Sequence, residues 1–175
     1  MAHDVHPHSV PSGSPRQWFV AAAIIEGDQG LLLVQNRRRN GLTDWSTPGG
    51  VVEEGESALA GLAREVNEET GIIVRDWSGP LYSVETAAPD MGWDLRVEVY
   101  RALDWHGKLT IDDPDGIVVD AEFVSHTACP ARLLGNARWV HEPLCEWIET
   151  RWEEHRSYRY RLEGADRATM AVTRA

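Results

Sequence analysis

The spacing of apolar residues changes period several times along the chain, and each change marks an element. Trp18 to Ile25 is a dense β-type run, Gly27-Asp28-Gln29-Gly30 carries turn chemistry, and Leu31 to Gln35 is apolar again, so together they predict a hairpin. From Ser57 to Thr70 the period lengthens. Leu59, Leu62, Ala63 and Val66 fall on one stripe of a 3.6-residue repeat, which predicts a helix with that stripe against a core. Ser57 is the candidate N-cap, Glu53, Glu54 and Glu56 lie near the positive end of the helix, and Gly71 supplies a left-handed stop. Ile72 to Trp77, Leu81 to Thr86 and Asp94 to Leu103 return to strand patterning. In the last of these Leu95, Val97, Val99 and Arg101 share one side and Arg96, Glu98 and Tyr100 the other. Ala121 to Ser125 is a further strand. Ser125 is placed to cap a short helix carrying Arg132, Leu133 and Leu134. Asn136 to about Glu154 reads as a final long helix, in which Leu144, Trp147, Ile148 and Trp152 recur at helical spacing as core. Strands interleaved with helices predict an α/β fold, a mixed sheet covered by helices.

At 175 residues the chain has room for one domain with a proper core, expected over residues 16–156. Residues 1–15, rich in Pro, Ser and Gly, read as a disordered arm whose His3, His6 and His8 are solvated, and 157–175 as a polar, frayed tail. The 42% hydrophobic and 26% charged content is ordinary for a soluble globular protein. No apolar run reaches the roughly 20 residues that span a bilayer, and the N-terminus lacks both parts of a signal peptide, so a cytoplasmic location away from membranes is expected. A net charge of −11 argues against docking on duplex nucleic acid, yet leaves room for a small nucleotide that brings its own cation. Cys129 and Cys145 make neither a disulfide framework nor a metal pattern and read as reduced and structural.

The densest chemistry lies between Pro48 and Ile72. Glu65, Glu68 and Glu69 stand at i, i+3 and i+4, which gathers three carboxylates at the margin of the buried stripe. Like charges at that spacing repel by a few tenths of a kcal/mol, and only Arg64, four residues before Glu68, offers relief along the helix. Convergent hard oxygens suit Mg²⁺ or Mn²⁺, which would remove the repulsion. Backbone N–H groups of the Pro48-Gly49-Gly50 turn could add donors to a phosphate. Reading forward, Gly50 is followed after five residues by Glu56, after seven more by Arg64-Glu65, then Val66, Asn67, Glu68-Glu69, Thr70, Gly71 and Ile72. This resembles the Nudix hydrolase box, G-x5-E-x7-R-E-U-x-E-E-x-G-U with U aliphatic, and every fixed position is filled.

The resemblance implies an α/β/α sandwich and a pyrophosphohydrolase that uses divalent metal to cleave a nucleoside diphosphate linked to another group. It makes Glu65 and Glu69 metal ligands, Glu68 a further ligand or base, and the Gly50 carbonyl a completing ligand. Arg64 would hold the carboxylates by charge-assisted hydrogen bonds. In the same setting an acidic residue in the loop before a strand serves as general base or extra ligand, for which Asp115 is the first candidate and Glu122 the second; solvated loop acids are the competing reading. The alternative from another class is a non-catalytic nucleotide sensor on the same fold, but such relatives usually lose box carboxylates and none is missing here. Family members often pair, and Asp94 to Leu103 as an edge strand would suit a homodimer.

Outside the box, Arg37-Arg38-Arg39 is either a solvated loop or a phosphate clamp overhanging the same cleft, with Arg38 and Gly49 as substrate contacts. Trp45 and Trp93 could stack on a base or sit in the core. Asp112-Asp113-Pro114-Asp115-Gly116 with Glu122 partly resembles an EF-hand loop. It fails because Ile111 occupies the first ligand position and the flanks favour strands.

Overall fold

A computed structural model describes residues 13–166 and 169–175. The first half of the chain forms β1 (Arg16–Ile24), β2 (Glu26–Gly27), β3 (Gly30–Arg37), β4 (Thr43–Ser46), β5 (Gly49–Val51) and α1 (Ala58–Thr70). Then come β6 (Ile73–Ala88), a 3-10 turn (Pro89–Met91), β7 (Trp93–His106), β8 (Val118–Val124), α2 (Cys129–Leu133), α3 (Arg138–Thr150), β9 (Arg156–Glu163) and β10 (Ala171–Arg174). The histidines of the expected arm lie outside the described residues.

The strands make two sheets. One runs β10-β9-β6-β7-β1-β5 and is mixed, with β1 parallel to β7 and β9 parallel to β6; in the other, β3 pairs with β2, β4 and β8. Alternation along β7 assigns its two faces as expected. Leu95, Val97 and Val99 join a core with Leu144 and Trp147 of α3, whereas Tyr100 and Ala102 join a second core with Leu62 and Val66 of α1. A helix therefore covers each face of the large sheet, giving the α/β/α layering.

Several expectations need correction. The first hairpin exists only at its tip, where Glu26 and Gly27 pair with Leu31 and Gly30; β1 itself pairs within the other sheet, although the apolar residues of β1 and β3 share both cores. The expected strands Ile72 to Trp77 and Leu81 to Thr86 merge into one long strand, β6, which starts at Ile73 and whose register against β7 shifts at irregularities between Val74 and Tyr82. β7 is no edge: β6 and β1 flank it, and the sheet edges are β10 and β5. Leu59 is exposed, and Gly61 and Thr70 take the buried positions of α1 beside Leu62 and Val66. The Ser125 carbonyl, rather than its side chain, accepts the first N–H groups of α2. α3 stops at Thr150, leaving Trp152 buried but beyond the helix.

The supposed frayed tail is a strand. In Arg-Ser-Tyr-Arg-Tyr-Arg-Leu-Glu, Tyr158, Tyr160 and Leu162 alternate inward while Arg159 and Arg161 face solvent, so β9 buries one face against α3 and β6. Its tyrosine hydroxyls donate to Glu146 and Glu142 of α3.

Candidate active site

Helix α1 is fixed at both ends by local chemistry. The Ser57 hydroxyl accepts the Ala60 N–H at 3.2 Å, and Gly71 adopts the left-handed conformation and donates to the Asn67 carbonyl. With Leu62 and Val66 driven into the core, Glu65 and Glu69 are carried to the helix margin, where β5 passes. Two glycines permit that approach. A Cβ on Gly49 would stand 2.2 Å from the Ala21 carbonyl oxygen, and one on Gly50 would stand 2.4 Å from the Glu65 carboxyl carbon. The close passage lets the Gly49 N–H donate to Glu69 Oε2 at 2.9 Å.

Glu69 is only 8% exposed. Burial pushes its carboxyl up to about 8; the Gly49 N–H opposes this, and Glu65, Asp113 and Glu68 add to it. Burial also raises Glu65, against the pull of Arg64. Arg64 is the organiser of the cluster. Its Nε and Nη2 grip both oxygens of Glu56 at 3.1 Å, and its Nη1 reaches Glu65 at 2.9 Å and Glu68 at 3.3 Å. Glu56, held below the usual carboxylate range by Arg64, also accepts the Glu53 N–H, which ties the Gly loop to the helix.

These groups line one cavity of about 690 Å³. Arg64, Glu65, Glu68, Glu69, Gly49 and Gly50 form one side, and Arg38 and Asp115 also line it. Arg38 is held there by Asp44, which accepts its Nε at 2.5 Å and its Nη2 at 2.6 Å. Two expected contributors are elsewhere. Glu122 pairs with Arg132, away from the cavity. Trp45 is one residue before Ser46, and strand alternation turns it to the opposite face, where it packs on the core under Arg132. Trp93 likewise packs against the core.

Three cavity residues escape a reading of the sequence. Asp113 accepts the N–H groups of Asp115, Ile117 and Val118 and so shapes the loop that closes the cavity. Its signal was the Asp-Pro-Asp-Gly turn chemistry, in which Asp113 accepts from the turn's backbone while Asp115 also lines the cavity. Glu53 opens the acidic run before the helix. Asn36, buried and donating to Ser46 at 2.9 Å, has no local signal at all.

The donor set fits a divalent cation: a buried carboxylate with a raised pKa sits among Glu65, Glu68 and Asp113, and the single guanidinium of Arg64 is already shared by three glutamates. Among the described residues no three such side chains stand in a closed ligand geometry, because Arg64 draws Glu65 and Glu68 toward itself and Gly49 holds Glu69.

The fold and site define a Nudix protein, and similarity to known proteins agrees. A family model, the NUDIX domain, matches residues 15–148, and the chain belongs to that family of hydrolases. It is 31% identical over 137 residues to a Mycobacterium tuberculosis protein named putative 8-oxo-dGTP diphosphatase 2, covering 71% of this chain and 96% of that one. It is 39% identical over 66 residues to nucleoside diphosphate-linked moiety X motif 6 of Xenopus laevis; the match covers 38% of this chain and only 30% of the frog protein. Among solved structures, the E. coli ORF135 protein superposes with a TM-score of 0.65 at 26% identity, over 83% of this chain and 100% of that one. The MutT protein of Bacillus halodurans gives 0.63 at 20% identity, over 90% and 97%, a likeness of fold.

Proposed function

We propose that this protein hydrolyses a diphosphate bond in a nucleotide, with Mg²⁺ or Mn²⁺ held by Glu65, Glu68, Glu69 and the Gly50 carbonyl. The observation that carries the reading is Glu69, buried and anchored on the Gly49 N–H in a wall of carboxylates that opens on a cavity. A bound ion there supplies positive charge against phosphate oxygens and acidifies a water. The chain's own residues do the rest. Gly49 and Arg64 orient the carboxylates, Asp115 accepts the proton of the attacking water, and the guanidinium edge of Arg38 not used by Asp44 meets a substrate phosphate.

Nucleoside triphosphates are the favoured substrate class, because the Mycobacterium tuberculosis relative matched over nearly its whole length carries a triphosphate in its name. ADP-ribose and nucleotide sugars remain within the same chemistry. No helix among the described residues is long and apolar enough to cross a membrane. The deciding experiment measures phosphate or pyrophosphate release from nucleoside triphosphates, oxidised and not, ADP-ribose and nucleotide sugars, with Mg²⁺, with Mn²⁺ and with chelator. Metal-dependent release is expected, strongest with triphosphates. Binding without turnover across the panel would favour the sensor instead.

A further inference from the structure

A second cavity, about 710 Å³, shares no lining residue with the carboxylate cleft. Its walls include Arg101 of β7, Arg151 at the end of α3, the apolar side chains of Leu81 and Leu103, and the buried rings of Trp147 and Trp152, with the carboxylates of Glu26 and Glu153 also at the margin. Both guanidiniums lie over the Trp147 ring, at 5.9 and 4.2 Å from its centroid. Both also reach one carboxylate, Glu26, through Arg101 Nη2 at 3.0 Å and Arg151 Nη1 at 2.6 Å.

That shared carboxylate leaves capacity over. A guanidinium carries five N–H donors. Arg101 commits one to Glu26, and Arg151 commits one to Glu26 and its Nε to the Ile148 carbonyl. Glu26 must also serve His126, whose Nε2 lies 2.9 Å away. Arg151 is, moreover, the one non-glycine residue among those described with positive φ, at 53°, in a capping position that glycine usually fills. An arginine thus stands where the backbone conformation favours glycine. Leu103, 55% exposed at the lip, adds an apolar surface that the fold does not use.

We propose that this cavity binds a small organic anion: one acid group between Arg101 and Arg151, and a flat or apolar body against Leu81, Leu103 and the tryptophan wall. The volume suits such a ligand, and a planar guanidinium pair recognises carboxylate and phosphate alike. The site is independent of the hydrolytic reading.

The test follows the indole N–H signals of Trp147 and Trp152 by NMR in metal-free protein titrated with AMP, benzoate or adenosine. AMP and benzoate compare the two acid groups, and adenosine lacks any. Saturable shifts with either acid and none with adenosine are expected. Leu103→Glu, at an exposed position that leaves the fold intact, and Arg101→Gln should each weaken binding about tenfold or more, whereas Glu69→Gln in the other cleft should leave it unchanged. Equal shifts with adenosine, no shift with either acid, or full retention in Leu103→Glu would overturn the proposal.

Discussion

Glu69 and Glu26 are both largely withdrawn from solvent, and their surroundings push their carboxyls in opposite directions. Glu69 has one backbone N–H and three carboxylate neighbours, and burial carries it up to about 8. Burial would raise Glu26 too, but Arg151, then His126 and Arg101, outweigh it and hold the group below its ordinary value. The second arrangement also serves the fold: donors drawn from β7, the loop after β8 and the end of α3 converge on one acid and fasten α3 to the sheet. The first resembles a site still short of positive charge. The contrast separates a cluster that secures the fold from one that weakens it in exchange for chemistry.

The comparison breaks most visibly in paired substitutions. Glu69→Gln should lower kcat at least about 100-fold while the melting temperature holds or rises, because the variant removes a charge the fold does not want. Glu26→Ala should behave inversely, leaving turnover near normal while destabilising by about 2 kcal/mol, or about 4–8 °C in melting temperature. A stable Glu26→Ala protein, or an active Glu69→Gln one, would dissolve the distinction.

Stability against pH sharpens it next. Glu26, with its folded pKa lowered, contributes stability that is present above the ordinary value of 4.5 and is lost as pH falls through the folded one. Glu69, with its folded pKa raised, prefers its proton in the native state. Metal-free protein should therefore lose stability as pH climbs from about 4.5 to about 8, and Glu69→Gln should flatten that limb. Chemical denaturation across pH 3 to 9 distinguishes the two limbs. The smallest effect is expected at Arg38, where Ala should raise KM a few-fold with kcat nearly unchanged, as befits an exposed contact to a phosphate.

Legibility in the sequence followed distance along the chain. Helix α1, its caps and its carboxylates were readable because Ser57, Leu62, Val66 and Gly71 act within a few residues of one another. The Glu26 cluster joins residues separated by 75, 100 and 125 positions, which no local pattern announces. Asn36 likewise reaches the cavity through the pairing of β3 with β4 and β8. The two readings of Trp45 divide on a subtler point: its neighbour Ser46 faces the cavity, so parity along the strand sends the ring to the core side. In β9 the signal was present but obscured, since Ser157, Arg159, Arg161 and Glu163 at every second position made a half-buried strand look uniformly polar.

That last strand bears on how the protein can be trimmed. Residues 15–148 span the match to the family, and cutting there would look conservative. It would also delete β9, leaving the long strand β6 with a bare hydrogen-bonding edge and Tyr82 and Val84 without their cover. An open, partly apolar edge of that kind invites strands from other molecules. The shortened protein should then come out of expression as aggregate, though every residue of its catalytic motif is intact.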